Sequence, residues 1–310
     1  MKNLISSSNT SPSNDQSAQI KRLAMDYDAG SLSRREFLTR LAVVTGSMAA
    51  AHLLVEQNGL AQVISQKEVE DTAGTIRITG NDVAFTGEDT NGSKISLGGY
   101  LAAPSGEGPF PAVVVIHENR GLNEHTRDVA RRFAIEGFVA LAPDALARRG
   151  GTASMKTPDE ARTAIGTITP QEALVDLEAA LLYLDSLPTV RKGHLASVGF
   201  CWGGARSFAL ATYSQRLRAA VVFYGSAPPT EELPKVRVPV LGLYGETDTR
   251  ITAAVPEVAA AMQAANKSFD FKIYPGAGHA FFNDTGERYN PPAAAGAWAT
   301  TLKFLRQQLK

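Results

Sequence analysis

Short hydrophobic runs alternate with amphipathic stretches along the chain from about residue 75 to the C-terminus. The segment 111–117 is a largely β-branched run, which is typical of a strand buried on both faces of a parallel sheet. Segments such as 170–187 instead repeat their apolar positions every three or four residues, which predicts helices. Because strands and helices alternate, we predict an α/β fold with a mostly parallel central sheet and helices on both faces.

This pattern places the expected site at one edge of the sheet. The strands are predicted at 75–79, 96–102, 111–117, 138–142, 195–199, 219–224, 238–244 and 269–274, and the helices at 124–136, 170–187, 204–213, 253–265 and 293–309. A Thr-Asn-Gly-Ser turn at 90–93 separates the first two extended segments. Right-handed crossovers bring the C-terminal ends of parallel strands to one edge, and we expect the functional residues there.

The first 61 residues follow a different pattern. Up to about residue 24 the chain is rich in Ser, Asn and Gln and has no hydrophobic period, which predicts disorder. Arg34 and Arg35 then precede an uncharged apolar run at 41–55 and small residues near 59–61, an order that is typical of an export signal. The apolar run is shorter than the roughly 20 residues that cross a bilayer, so a permanent anchor is disfavoured.

The segment Ser-Arg-Arg-Glu-Phe-Leu at 33–38 resembles the twin-arginine export consensus. We therefore expect residues 1–61 to be a disordered leader with a twin-arginine-type signal, 62–74 to be a linker, and 75–310 to be one α/β domain. The expected partner is the twin-arginine export machinery, and the expected location is the periplasm or the exterior, or the cytoplasm if the leader is not functional. An amphipathic helix that carries two arginines is the alternative interpretation.

Composition narrows the class of protein. Hydrophobic residues make up 44% of the chain and charged residues 20%, which suits a globular domain with a sizeable core. Lys plus Arg and Asp plus Glu number 31 each, so the formal net charge is zero. This balance does not suggest a polyanionic partner, and nucleic-acid binding is not expected. The single cysteine cannot form an intrachain disulfide, and it is either a buried small hydrophobe or a reactive thiol. We expect a monomer and leave a dimer open.

A glycine-flanked cysteine is the strongest chemical motif. The segment Gly-Phe-Cys-Trp-Gly-Gly at 199–204 lies where a predicted buried strand meets a predicted helix, and it matches the sharp elbow that presents a nucleophile. Side chains at Gly199 and Gly203 would collide with neighbouring strands and helix. Cys201 would stand at a helix N-terminus, where the partial positive charge favours a thiolate. A buried structural cysteine is the competing interpretation of this motif alone.

The residues that would serve such a nucleophile follow in the expected chain order of nucleophile, acid and histidine. His279 follows the last predicted strand in a glycine-rich loop, and this loop is able to bring the imidazole ring close to Cys201. The preceding strand is followed by two carboxylates, Glu246 and Asp248, of which we favour Asp248 as the acid. The partners therefore favour a catalytic cysteine over a structural one.

Residues from about 95 to 309 resemble the dienelactone hydrolase (carboxymethylenebutenolidase-like) family of α/β-hydrolases. The matching motifs are Ile-His-Glu-Asn-Arg-Gly at 116–121, Ala-Pro-Asp at 142–144, Gly-Phe-Cys-Trp-Gly-Gly at 199–204 and Gly-His-Ala-Phe at 278–281. The resemblance implies an α/β-hydrolase fold, and it implies that Cys201, Asp248 and His279 form a catalytic triad.

The same resemblance assigns roles around the triad. Glu118 matches a glutamate that contacts the resting thiol and moves away when substrate binds. The backbone N–H groups of Asn119 and Trp202 match the oxyanion hole. Two arginines of the family bind a substrate carboxylate: Arg148 fits one of them, whereas Asn283 stands at the position of the other. This departure puts the charge of the substrate in doubt, and Arg288 in the following loop is a conceivable substitute.

The expected reaction is cleavage of a carboxylic ester or lactone through a thioester acyl-enzyme, with no metal or organic cofactor. A general carboxylesterase without lactone preference is the alternative within the same chemistry. From other classes, a redox role for the thiol and a non-catalytic binding protein on a hydrolase fold remain open.

Overall fold

The computed structural model describes residues 19–20, 22–23, 40–41, 43–44, 78–89 and 92–310. The chain divides into two compact units, Met1–Gln62 and Val63–Lys310. In the first unit the described residues are helical, including those at 19–20 and 22–23 within the stretch predicted to be disordered. The twin-arginine pair, most of the predicted leader and the predicted linker at 62–74 lie outside the described residues.

The described residues of the second unit contain a single sheet whose strands run in the order β1-β2-β4-β3-β5-β6-β7-β8. The strands are β1 (Ile78–Glu88), β2 (Lys94–Pro104), β3 (Phe110–Ile116), β4 (Val139–Pro143), β5 (Val190–Phe200), β6 (Leu217–Phe223), β7 (Val240–Gly245) and β8 (Phe269–Tyr274). From β4 to β8 all neighbouring strands are parallel. Strand β2 pairs antiparallel with both β1 and β4. The predicted α/β class with a mostly parallel sheet is confirmed.

The helices connect the strands as the alternation predicts, with two differences. They are α1 (Glu124–Ile135), α2 (Pro158–Gly166), α3 (Pro170–Ser186), α4 (Trp202–Tyr213), α5 (Thr249–Thr252), α6 (Val255–Ala264) and α7 (Pro291–Gln308), with 3-10 turns at Ala147–Arg149, Thr152–Ser154 and Thr230–Lys235. Helix α2 was not predicted, although Thr157 caps it by accepting from the Glu160 N–H. The helix predicted at 253–265 begins at Val255, and the short helix α5 that precedes it was not predicted; proline in the first turn of α6 has no N–H with which to continue α5.

Both faces of the sheet are covered. Along β3 the side chains of Val113 and Val115 join a core with α1 and α7, whereas Val114 and Ile116 join a second core with α3. This alternation explains why the strand is continuously hydrophobic. None of the helices that the structure describes is long and apolar enough to span a membrane.

Candidate active site

Cys201 occupies a sharp turn between β5 and α4. Its backbone has φ 53° and ψ −111°, a left-handed φ that costs a non-glycine residue about 1–3 kcal/mol. A Cβ on Gly199 would lie 1.9 Å from the carbonyl oxygen of Gly203, and a Cβ on Gly203 would lie 2.3 Å from that of Ile116. The predicted need for glycine on both sides of the cysteine is therefore confirmed, and the turn directs the thiol away from the strand.

Three side chains from three strand ends meet at this turn. The Cys201 Sγ lies 3.0 Å from the Nε2 of His279, and the His279 Nδ1 lies 2.6 Å from an Oδ2 of Asp248. Asp248 is 8% exposed, so its carboxylate is largely shielded from water. If Nδ1 carries a proton for this carboxylate, Nε2 is left as an acceptor for the proton of the thiol.

Hydrogen bonds between two loops fix the relative position of the carboxylate and the imidazole. The backbone N–H and the Oγ1 of Thr247 both donate to the carbonyl of Ala277, at 2.9 and 3.0 Å. The other candidate carboxylate, Glu246, accepts from the backbone N–H of Gly276 at 2.9 Å. The loop that follows β7 is thus joined to the loop that carries His279, and only Asp248 of the two acids contacts the imidazole.

The carboxylate of Glu118 is held at the same edge by two neutral donors. The hydroxyl of Tyr224 donates to Oε1 at 3.2 Å, and the amide of Asn283 donates to Oε2 at 3.0 Å. Tyr224 is fully buried, has φ 39°, and contacts the His279 ring edge-on at 5.2 Å. Sequence analysis missed Tyr224, although its place directly after β6 is the strand-end position at which the other site residues were found.

The resting thiol is protonated. Burial and the nearby charge of Glu118 raise the pKa of Cys201 to about 11. The backbone N–H of Trp202 at the start of α4 acts in the opposite direction by stabilising a thiolate. This is the effect expected of a helix N-terminus, but burial and Glu118 outweigh it. The helix N-terminus thus favours a thiolate, as expected, but it does not by itself produce one in the resting site.

His117 orients the loop that follows β3. Its Nε2 accepts from the backbone N–H of Ala145 at 3.1 Å, which leaves Nδ1 protonated to donate to the carbonyl of Glu118 at 2.6 Å. Its ring stacks on Trp202 at 5.6 Å, and burial lowers its pKa. A neutral, fully buried histidine thus connects the two segments that carry the predicted oxyanion donors, the half-buried Asn119 and Trp202.

A buried ion cluster anchors the segment that follows His279. Asp284 accepts from the His125 Nδ1 at 3.1 Å and forms an ion pair with Arg132. Burial alone would raise the pKa of Asp284, but Arg132 and His125 hold it well below its usual range. Since Asn283 directly precedes this residue, the cluster fixes the amide that binds Glu118.

Arg148 lies apart from these residues. Its guanidinium binds the carboxylate of Asp176 at 2.7 Å, that of Asp89 at 3.3 Å and the carbonyl of Glu88 at 2.7 Å. It lines a cavity of about 500 Å³ whose lining residues include neither Cys201 nor the groups around it. The structure brings together the predicted residues Cys201, Asp248, His279, Glu118 and Asn283, but it does not bring Arg148 to them.

Metal chemistry has no evident donor set in the described part of the chain. Over residues 78–89 and 92–310, and at the few described positions before them, no group of three or more His, Cys, Asp or Glu side chains is arranged to hold a metal ion.

Comparison with known proteins assigns most of the chain to one family. The model of the dienelactone hydrolase family matches residues 97–309. A protein of Methylorubrum extorquens named "Putative carboxymethylenebutenolidase" is 30% identical over 297 residues, covering 92% of this chain and 98% of its own. A protein of the same name from Saccharolobus solfataricus is 36% identical over 257 residues, covering 72% of this chain and 97% of its own.

A solved structure agrees with these relatives. The crystal structure titled "Putative Dienelactone Hydrolase" from Klebsiella pneumoniae superimposes with a TM-score of 0.66 at 30% identity, covering 74% of this chain and 99% of that one. The agreement confirms the α/β-hydrolase fold and the resemblance found in the sequence. The chain belongs to the dienelactone hydrolase family, a family of hydrolases.

Proposed function

We propose that this protein hydrolyses a carboxylic ester or lactone with Cys201 as the nucleophile. One observation carries the proposal: the thiol of Cys201, the imidazole of His279 and the carboxylate of Asp248 form a continuous line of contacts at 3.0 and 2.6 Å. Nucleophile, base and orienting acid in hydrogen-bond reach are the arrangement that activates a nucleophile for acyl transfer. The name carboxymethylenebutenolidase, which both relatives carry, supports a lactone as the substrate within this class.

The reaction has two steps. The Cys201 sulfur attacks the carbonyl carbon as His279 takes the thiol proton at Nε2, and Asp248 stabilises the resulting imidazolium. The imidazolium gives its proton to the departing alkoxide, and a thioester remains on the sulfur. A water molecule then gives a proton to the imidazole and attacks the thioester, which releases the acid and restores the thiol.

Backbone N–H groups stabilise the negative oxygen in both steps. The Trp202 N–H already points to the sulfur side of the turn, where it lowers the pKa of Cys201, and the Asn119 N–H is its proposed partner. Because a thiolate leaves readily, the tetrahedral intermediate of an amide would expel sulfur rather than nitrogen. Esters and lactones are therefore the favoured substrates, and a general carboxylesterase is the second candidate within this chemistry.

A direct test uses the single cysteine of the chain. Purified protein is mixed with a chromogenic short-chain ester or with a lactone, before and after treatment with iodoacetamide, and the acyl-enzyme is trapped by acid quench for mass spectrometry. We expect hydrolysis that alkylation abolishes, and a mass increase equal to the acyl group on the peptide that contains Cys201. Hydrolysis that survives complete alkylation would exclude a cysteine nucleophile, and binding without hydrolysis would identify a binding protein.

We further propose that Glu118 keeps the thiol protonated between turnovers. The carboxylate raises the pKa of Cys201, and its bonds to Tyr224 and Asn283 hold the charge close to the thiol. A protonated thiol resists oxidation and alkylation, which suits a protein that carries one accessible cysteine. Displacement of the carboxylate by substrate would remove this effect only when the nucleophile is needed.

The variant Glu118→Gln tests this role because it retains the size of the side chain and removes its charge. We expect the apparent pKa for alkylation of Cys201 to fall below the parent value of about 11, so that iodoacetamide reacts faster at neutral pH, where the thiolate fraction is larger. Glu257→Gln, on the exposed surface of α6, is the matched control. An unchanged rate of alkylation in Glu118→Gln would show that the Glu118 carboxylate does not keep the thiol protonated.

The site also has consequences for the charge of the substrate. A pair of arginines at the family positions would bind a carboxylate through charge-assisted hydrogen bonds, each worth about 1.5–3 kcal/mol. Here Arg148 is neutralised by Asp176 and Asp89, and the amide of Asn283 is occupied by Glu118. We therefore propose that the site discriminates little between anionic and uncharged substrates.

Matched substrates test this proposal. We expect a lactone and its carboxylated analogue to be hydrolysed with kcat/KM values within about tenfold of each other, because Arg148 and Asn283 are both bound to carboxylates of the protein. Asn283→Arg should increase the preference for the carboxylated analogue, and the uncharged analogue serves as the internal control. A preference of about a thousandfold for the carboxylated lactone in the parent protein would show that another cation, such as Arg288, completes the clamp.

A further inference from the structure

Strand β8 forms one end of the sheet, and its outer edge is unpaired among the described residues. The carbonyls of Ser268 and Tyr274 accept from the N–H groups of Val240 and Glu246 on the β7 side, both at 3.1 Å. Because backbone groups alternate in direction along a strand, Asp270 and Lys272 also face β7. The N–H and C=O groups at 269, 271 and 273 therefore point outward, where they can pair with another strand.

The side chains on this edge form a self-complementary pattern. Asp270, Phe271 and Lys272 are all exposed, and Phe271 at 42% is one of the few large hydrophobic side chains in the described residues with so much accessible surface. Asp270 and Lys272 lie on one face of the sheet, and Phe271 lies on the other. Opposite charges stand one residue on either side of a central aromatic residue.

We propose that two copies of this chain pair through β8 in antiparallel register, centred on Phe271, to form one sheet that continues across a twofold axis. In this register the outward groups of Phe271 pair with those of the partner's Phe271, and positions 269 and 273 pair with each other. These are the hydrogen-bonded positions of an antiparallel ladder. The outward N–H and C=O groups of the edge strand thereby gain hydrogen-bond partners without any change in the fold of either copy.

The charges fall on the positions where cross-strand side chains are closest. Asp270 of each copy lies opposite Lys272 of the other, which gives two ion pairs related by the twofold axis. Both are non-hydrogen-bonded positions of the ladder, where the Cβ atoms of opposite residues are about 4.5–5.5 Å apart. The ammonium of Lys272 already lies 4.9 Å from the centre of the Tyr274 ring on this face, where the ring contact restricts it. The two attractive pairs support one orientation of the partner.

The same charges exclude the neighbouring registers. A ladder centred on Asp270 would place two carboxylates opposite each other, and a ladder centred on Lys272 would place two ammonium groups opposite each other. A lysine on an edge strand usually prevents pairing, but an aspartate two residues earlier converts that repulsion into selection of a single register. A twofold-related second copy satisfies the pattern, because it presents the same sequence in reverse.

The apolar face of the edge supports the same partner. Phe271 stacks on Phe269 at 5.8 Å, and Phe269 stacks in turn on the buried Phe208 at 5.6 Å. The exposed ring is thus the outer member of a row that leads into the core. In the dimer the two Phe271 rings would meet across the axis and lose their contact with water.

Charge-reversal variants of the full chain test the dimer by light scattering coupled to size-exclusion chromatography at low ionic strength. The parent is expected at twice the 33.0 kDa of one chain. Asp270→Lys and Lys272→Asp each turn two attractive pairs into two repulsive ones, so each should weaken the dimer by at least about tenfold. The double variant Asp270→Lys/Lys272→Asp restores both attractions and should dimerise. Lys192→Asp, an equal charge change at the exposed start of β5, should leave the dimer intact.

Mixing the two single variants gives the decisive result. A chain with two lysines opposite a chain with two aspartates forms both attractive pairs, so two separately monomeric proteins should form a heterodimer. Far-UV circular dichroism establishes that each variant is folded. A parent that remains monomeric at its highest soluble concentration, single variants that remain dimeric, or a mixture that forms no heterodimer would each overturn the proposal.

Discussion

Replacement of Cys201 by alanine is expected to abolish ester hydrolysis while the protein remains folded. Loss of the nucleophile in a triad of this type lowers kcat by about six powers of ten, because nothing else in the site can form the acyl intermediate. Cys201→Ser should retain little activity, since a hydroxyl is far less acidic than a thiol and this site already raises the pKa of its nucleophile by burial. The measurement is kcat/KM on the ester that the parent cleaves best.

The alanine variant carries its own controls. It has no thiol left, so iodoacetamide should add no mass to it under conditions that fully label the parent. Its unfolding midpoint should stay close to that of the parent, because alanine at position 201 keeps the backbone and removes a single half-buried sulfur. Full activity in Cys201→Ala would disprove the assignment of the nucleophile.

Gly199→Ala is expected to have the largest effect on stability. The new Cβ would lie 1.9 Å from the Gly203 carbonyl oxygen, 2.3 Å from its carbon and 2.8 Å from the Gly204 nitrogen. All three are backbone atoms of the turn, so relief requires the turn itself to open. We expect a loss of about 3 kcal/mol or more in the free energy of unfolding, together with loss of activity, because Cys201 would move relative to His279.

A second glycine in the chain provides the matched control. A Cβ on Gly166, at the end of α2, would meet no atom within 4 Å. Gly166→Ala should therefore be neutral or stabilising by about 0.5–1 kcal/mol, because alanine loses less backbone entropy in a helix. Urea unfolding monitored by circular dichroism measures both variants. Equal stability of Gly199→Ala and the parent would contradict the prediction, because it would show that the turn accommodates a Cβ at position 199 without cost.

Local features of the sequence were sufficient for the fold class and for the three residues Cys201, Asp248 and His279, but not for Tyr224. Hydrophobic period is a property of neighbouring positions, so it identified β2 to β8 and five of the helices. The strand predicted at 75–79 shares only residues 78 and 79 with β1, and the start of β5 was predicted five residues late. The elbow is also local, because glycine is required by atoms only a few residues away. Chain order then selected Asp248 and His279, since strand ends in a parallel sheet share one edge and the nucleophile needs both groups.

The sequence by itself thus determined which chemistry the strand ends carry, whereas the tertiary structure decided how each charged group is used. Arg148, a candidate for substrate binding, pairs with Asp176, 28 positions away, and Asn283 binds Glu118, 165 positions away. The thiol is protonated for the same reason, because burial and a distant carboxylate outweigh the adjacent helix terminus. Local patterns record what a residue is able to do, but the partner of a charge depends on which distant segments the packed core brings within hydrogen-bond distance.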